Sequence, residues 1–225
     1  MIRESLTETS ETNVVEPRLI GQVDQLESLL GVSRRAKMTY IEFLDRLDED
    51  TSAEWVHGEL VMTSPAGDRH QDIVRFLVSV LSVFSESHDL GVIRPSPFQM
   101  KLHHGRKPDL LFVGKTHLDR LKDTFLDGPA DLVVEIISPE SAGRDRGEKF
   151  YEYEDAGIQE YWLIDPLRRK AEFYQSIAGR YRLVHGGESG VYHSLTMPGL
   201  WLKVEWLWQV PLPKVLDVLR ELDLA

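Results

Sequence analysis

Apolar positions along the chain change period several times, and each change marks an element. Thr39 precedes Tyr40, Phe43, Leu44 and Leu47 at helical spacing, with Glu42 placed to complete a capping box. From Ala53 the pattern turns to period two through Trp55, His57, Glu59 and Val61, which predicts a strand closed by the turn Thr63-Ser64-Pro65-Ala66-Gly67. His70, Ile73, Val74, Leu77, Val78, Leu81 and Phe84 then follow the i, i+3, i+4, i+7 spacing of a long amphipathic helix. Three strands are predicted next, Gly91–Leu102, Pro108–Val113 and Asp131–Ser138. The last is almost all β-branched or leucine, as a central strand buried on both faces should be. Residues 143–156 read as a charged helix stopped at Gly157, and Tyr161–Ile164 as a further strand. Arg169–Ile177 and Arg180–His185 form a hairpin across Ala178-Gly179, and Pro213–Leu222 a short helix. The order of helices and strands predicts an α/β (α+β) domain, a mixed sheet covered by helices.

Composition leaves this picture intact and adds a boundary. The first dozen residues are mostly Ser, Thr and Glu, and residues 1–37 are expected to form a peripheral arm, with 38–225 as the single domain. Within the arm, Leu19, Ile20, Val23, Leu26, Leu29 and Leu30 recur at helix-like spacing, a segment suited to docking on the body or on another subunit. The 225 residues carry a formal net charge of −11, which argues against a protein that coats nucleic acid or membrane by bulk electrostatics. The absence of cysteine removes disulfides, thiolate metal sites and cysteine nucleophiles. No stretch reaches the ~20 apolar residues of a membrane-spanning helix, so a soluble, cytoplasmic protein is expected.

Two acids stand in apolar surroundings. Asp109 begins the strand Pro108–Val113, and Glu135 interrupts Val134-Glu135-Ile136. A carboxylate inside a buried strand is costly unless it is paired, protonated or bound to a cation. If the two strands are neighbours, the acids can converge on a hard ion such as Mg2+. Otherwise Asp109 is a strand-end cap and Glu135 half of a buried ion pair. Gly-x-Ser-x-Gly and phosphate-loop signatures are absent. The histidines show no His-x-x-x-His spacing, so no zinc site is predicted, and His103-His104 reads as a turn joining two strands.

The run Ala130–Ser141, with Asp145, Lys149, Tyr153, Gly157, Tyr161-Trp162 and Asp165, resembles the Uma-two family of restriction-endonuclease-like proteins. The similarity extends through Trp55–Pro65, His70 and Pro108-Asp109, and covers residues 38–210. It implies the PD-(D/E)xK nuclease fold, a central mixed β-sheet flanked by helices, with metal-dependent cleavage of phosphodiester bonds in DNA. Mg2+ is the implied cofactor, with Mn2+ able to substitute. Asp109 matches the family's first acid and Glu135 its second. The superfamily's usual lysine slot is Ile137 here, and Lys149 on the following helix is the implied replacement. Glu59 matches an additional acid facing such sites, so the implied metal ligands are Asp109, Glu135 and Glu59.

Each of these residues also has an ordinary reading. Lys149 lies four residues after Asp145, the spacing of a surface ion pair. Glu59 could be an outward strand acid, and His70 either approaches phosphate or caps its helix. Trp201, Trp206 and Trp208 are core or dimer surface, or else a platform for stacking bases. A homodimer is implied by the resemblance. A catalytically silent nuclease fold that binds a partner is the alternative to an enzyme, and the fate of Arg69, Arg75, Arg94, Lys101, Arg106, Lys107, Arg144, Arg146 and Lys149 decides how DNA could be held.

Overall fold

The computed structural model describes residues 37–48, 51–63 and 66–224, and the architecture below is that of the unit Met38–Ala225. The apolar spacing at 19–30 and residues Ser64 and Pro65 of the predicted turn lie outside the described residues. Helix α1 (Tyr40–Leu44) is capped as its sequence requires. Thr39 Oγ1 accepts from Glu42 N at 3.2 Å, and Thr39 N donates back to Glu42 Oε2 at 2.7 Å. Its buried Tyr40 and Phe43 pack with Ala53, Trp55 and Leu60 of the next segment.

That segment is not one strand. It is a hairpin of β1 (Ala53–Val56) and β2 (Glu59–Met62), paired from Ala53↔Met62 to Val56↔Glu59. His57 and Gly58 form its turn with φ of 52° and 85°, both in the left-handed region that two-residue hairpin turns require. Helix α2 (Asp68–Ser87) follows and buries Ile73, Phe76, Leu77, Val80, Leu81 and Phe84. Each such side chain contributes about 1.5–3 kcal/mol by leaving water.

The stretch predicted as a single strand from Gly91 to Leu102 is also two. β3 (Gly91–Pro95) and β4 (Gln99–Lys101) belong to different sheets and separate at Ser96-Pro97, where Pro97 has no N–H to give to a ladder. His103-His104 make the turn to β5 (Gly105–Arg106). The remaining strands are β6 (Leu110–Gly114), β7 (Phe125–Asp127), β8 (Leu132–Ile136), β9 (Glu160–Asp165), β10 (Lys170–Ile177), β11 (Arg180–Gly187), β12 (Val191–His193) and β13 (Trp201–Lys203). They form a central six-stranded sheet β11-β10-β9-β8-β6-β3, a second sheet β2-β1-β5-β4-β7 and the pair β12-β13. The central sheet is mixed: β8 runs parallel to β9 and antiparallel to β6.

The charged helix predicted at 143–156 is broken in two, α3 (Ala142–Arg146) and α4 (Glu148–Asp155). Gly147 is the joint, with φ −114° and ψ −99°, and a Cβ there would meet Gly143 O at 2.7 Å. Helix α5 (Val215–Glu221) closes the chain. One face of the central sheet buries Leu132, Val134 and Ile136 against α2 and the C-terminal region, including Trp206 and Trp208. These two tryptophans are therefore core rather than a stacking platform. The other face buries Val133, Ile137, Tyr153, Tyr161 and Met100. Alternation along β8 turns Glu135 toward this second face, beside α4.

Candidate active site

Antiparallel pairing of Leu110 with Val134 sets Asp109 opposite Glu135 as the register continues by one residue. The main-chain N–H of Ile136 donates to Asp109 Oδ2 at 2.7 Å, which fixes the aspartate against β8. His70 Nε2 lies 3.1 Å from the same oxygen. His70 is the third residue of α2, whose N-cap is Gly67, so the histidine orients an acid instead of capping a helix. Burial would lower the His70 pKa, but the Asp109 carboxylate more than offsets this and raises it above its ordinary 6.5.

Lys149 is 5% exposed and lies among three carboxylates: Glu135 Oε1 at 2.9 Å, Glu54 Oε1 at 3.2 Å and Asp145 Oδ1 at 3.3 Å. The expected pair with Asp145 exists, but both partners are buried, so it is no surface ion pair. Burial would depress the Lys149 pKa, yet these three anions hold it above its ordinary value. The lysine is a permanent cation at neutral pH. Glu135, which also accepts from Tyr153 Oη at 2.9 Å, is pushed well above the usual carboxylate range. Burial is the main cause; Lys149 opposes it, while Asp145, Asp109 and Glu54 add to it.

Glu59 does not join this group. It is exposed at the start of β2, because the chain reverses at His57-Gly58 and carries it away. The acid that β1 delivers is Glu54, which is 1% exposed. Its Oε1 accepts from Lys107 N at 3.2 Å and its Oε2 from Arg106 at 3.3 Å. Burial would raise its pKa, but Lys149 and Arg106 hold it below the usual value. No periodicity distinguishes Glu54 from its neighbours in Ala53-Glu54-Trp55; only the unfavourable burial of an acid between two apolar residues could have marked it.

Glu54, Asp109, Glu135 and Lys149 line one cavity of about 220 Å3, together with His70, Lys107, Arg144 and Ser138. Lys107 Nζ bonds to the hydroxyls of Ser52 and Thr63, and burial draws its pKa below the ordinary lysine value. Of the other basic candidates, Arg106 is fully buried among Glu54, Glu148 and Glu152. Arg69 donates to Leu207 O, and Arg94 to Ile93 O. Arg75, Lys101 and Arg146 form ion pairs with Asp72, Asp127 and Glu172. The cationic side chains lining the cavity are thus Lys107, Arg144 and Lys149.

Carboxylates are the donors a hard divalent cation prefers, although the oxygens of Glu54, Asp109 and Glu135 are not among the triads of the described residues that close to within 4.8 Å. Both carboxylate oxygens of Asp145 are buried without a hydrogen-bond donor among the described residues. Asp145 lies behind the cavity, its Oδ1 3.3 Å from Lys149 Nζ, while Glu54, Asp109 and Glu135 are the oxygen-bearing acids that line it, with Glu140 at its edge.

A mixed sheet between helices, with two carboxylates side by side on adjacent strands and a buried lysine above them, defines a restriction-endonuclease-like fold. The chain belongs to the Uma2 family, described as "Putative restriction endonuclease", whose model matches residues 40–205. A solved structure described as "a putative nuclease belonging to DUF820", from Anabaena variabilis, superposes with a TM-score of 0.65 at 18% identity. It covers 76% of this chain and 97% of its own. The chain is also 22% identical over 160 residues to an uncharacterized protein of Synechocystis sp., sll1609, across 69% of this chain and 90% of that one. No described helix is long and apolar enough to cross a membrane.

Proposed function

We propose that this protein is a Mg2+-dependent endonuclease that hydrolyses phosphodiester bonds in DNA, with Mn2+ able to replace Mg2+. The observation that carries the reading is the convergence of Glu54, Asp109, Glu135 and Lys149 on one cavity. Asp109 and Glu135 would hold the ion, with Glu54 taking the part first assigned to Glu59. When bound, Mg2+ supplies charge stabilisation at the scissile phosphate and lowers the pKa of water.

The residues divide the remaining work. Lys149 stays protonated and so acts as a fixed positive charge and hydrogen-bond donor, not as the group that takes a proton from water. His70 and the Ile136 N–H hold Asp109 in place. Lys107 and Arg144 offer the cationic contacts for a phosphate at the cavity. With so few cations available, DNA binding is local and depends on the divalent ion, in keeping with the net charge of −11.

Incubation of the pure protein with plasmid DNA and Mg2+ or Mn2+ should give nicked or linear product, and cleavage that persists in Glu135→Ala would overturn the assignment. Absence of both cleavage and carboxylate-dependent heat of Mg2+ binding would instead identify a binding module on a silent nuclease fold. Cutting of both strands by a homodimer belongs to the same reading, and light scattering would test it.

A further inference from the structure

A second cluster lies outside the carboxylate site. His57 comes from the β1–β2 turn, and His103 and His104 from the β4–β5 turn. Nitrogens of all three lie within 4.8 Å of one another. The two turns meet because β1 pairs with β5 at Trp55↔Gly105. Residues 46 positions apart in sequence thereby become neighbours, which is why no ligand spacing is visible along the chain.

His104 Nε2 stands 3.1 Å from His57 Nδ1. Two imidazole nitrogens bound to one tetrahedral zinc ion at 2.0–2.1 Å are separated by about 3.3 Å. The observed spacing therefore needs little adjustment to admit the ion. On its other side His104 Nδ1 is 3.0 Å from Glu152 Oε1, which also accepts the His104 main-chain N–H at 2.8 Å. Glu152 and the Arg106 guanidinium, 3.4 Å from the same Nδ1, both occupy that side of the ring and leave Nε2 turned toward His57. A carboxylate behind an imidazole is the outer support that metal-binding histidines ordinarily have. His57 and His103 are exposed while His104 is buried, so the cluster is open on one side to ion entry and to a water as fourth ligand.

We infer that His57, His103 and His104 form a binding site for a late first-row divalent ion, Zn2+ foremost, separate from the oxygen site that would take Mg2+. Nitrogen donors suit zinc, cobalt, nickel and copper, whereas Mg2+ prefers oxygen. The ion would clamp the β1–β2 turn to the β4–β5 turn. It would also abut the network Glu152–Arg106–Glu54, since Arg106 bonds to both acids.

Cobalt titration of the full chain in excess Mg2+ tests this, because Mg2+ occupies oxygen ligands but does not compete for imidazole. One equivalent of Co2+ should bind with the intense visible absorption of tetrahedral coordination, and Zn2+ should displace it. His57→Asn keeps a residue that tolerates the left-handed backbone, and His103→Gln alters an exposed side chain, so both variants should fold. Each should weaken Co2+ binding at least about tenfold, while Glu135→Gln leaves it unchanged. Binding indifferent to both histidine substitutions, binding lost in Glu135→Gln, or no tetrahedral spectrum would show that His57 and His104 share only a hydrogen bond, and would overturn the inference.

Discussion

Replacing Lys149 by Met tests the electrostatics of the cavity most directly. Methionine keeps the length and much of the volume of the side chain, so the change removes charge more than packing. Three carboxylates within 3.3 Å of Nζ would lose their shared cation. At an effective dielectric of ~20, one unit-charge contact at 3 Å is worth roughly 5 kcal/mol before desolvation. Deleting one partner of a buried ion pair has a net cost of about 3–5 kcal/mol. For a domain of this size that corresponds to a fall of roughly 6–20 °C in Tm. Because the Lys149 pKa is raised above its ordinary 10.5, its contribution is fully present below that pH. The difference should shrink as pH falls, first as Glu135, whose pKa is raised, takes up a proton and last as Glu54, whose pKa is lowered, does so. Urea or thermal unfolding in EDTA at pH 7 reads the effect, and saturating Mg2+ should restore part of the loss by supplying the missing positive charge. A Lys149→Met protein within about 1 kcal/mol of wild type in EDTA would refute the view that this lysine neutralises the buried acids.

Three further outcomes are expected. Glu54→Gln should reduce cleavage and the heat of Mg2+ binding by at least tenfold, while Glu59→Gln leaves both near wild type; the reverse pattern would restore Glu59 to the site. In metal-free protein, Glu135 has a raised pKa, so its favourable contribution is present below its ordinary 4.5 and is lost as pH rises through the folded value. Glu135→Gln should therefore gain stability over wild type progressively above pH 4.5, and a difference independent of pH would count against a raised Glu135 pKa. Gly147→Ala should cost about 1–3 kcal/mol, because the added methyl meets the Gly143 carbonyl; an activity loss larger than the stability loss explains would show that the α3–α4 joint positions Lys149.

The elements that declared themselves in the sequence are those whose pattern and burial agree. Helix α2 follows its apolar spacing, β8 its unbroken β-branched run, α1 its capping box, and the Ala178-Gly179 turn its two left-handed residues, with φ of 52° and 74°. The hairpin β1–β2 was hidden for a specific reason. A two-residue turn shifts the alternation by one, placing Trp55 with Leu60 on one face and Val56 with Glu59 on the other, and with no Asn-Gly or Asp-Gly signal at His57-Gly58 the run Trp55, His57, Glu59 and Val61 reads as one strand. Glu59 entered through family resemblance, which did not mark Glu54, the acid that β1 buries. Asp109 and Glu135 were legible because acids in apolar strands are costly. Lys149 was not legible from spacing, because its reach to Glu135 depends on how α4 packs on the central sheet. It entered through family resemblance.

The apolar residue at position 137 has a consequence for how such sites can be moved or found. Ile137 is 5% exposed and belongs to the same packed cluster as Val133, Met100 and Tyr161. The strand position two residues after Glu135 is here part of a hydrophobic wall, and the cation beside Glu135 comes from the helix instead. Ile137→Lys combined with Lys149→Ala would therefore not transplant the function. It would force an ammonium into a dry interior, leave Asp145 without its cation and leave Glu54 to Arg106 alone. The two arrangements are separated by a coordinated change of several residues, and a search by linear spacing passes over a motif that exists only in three dimensions.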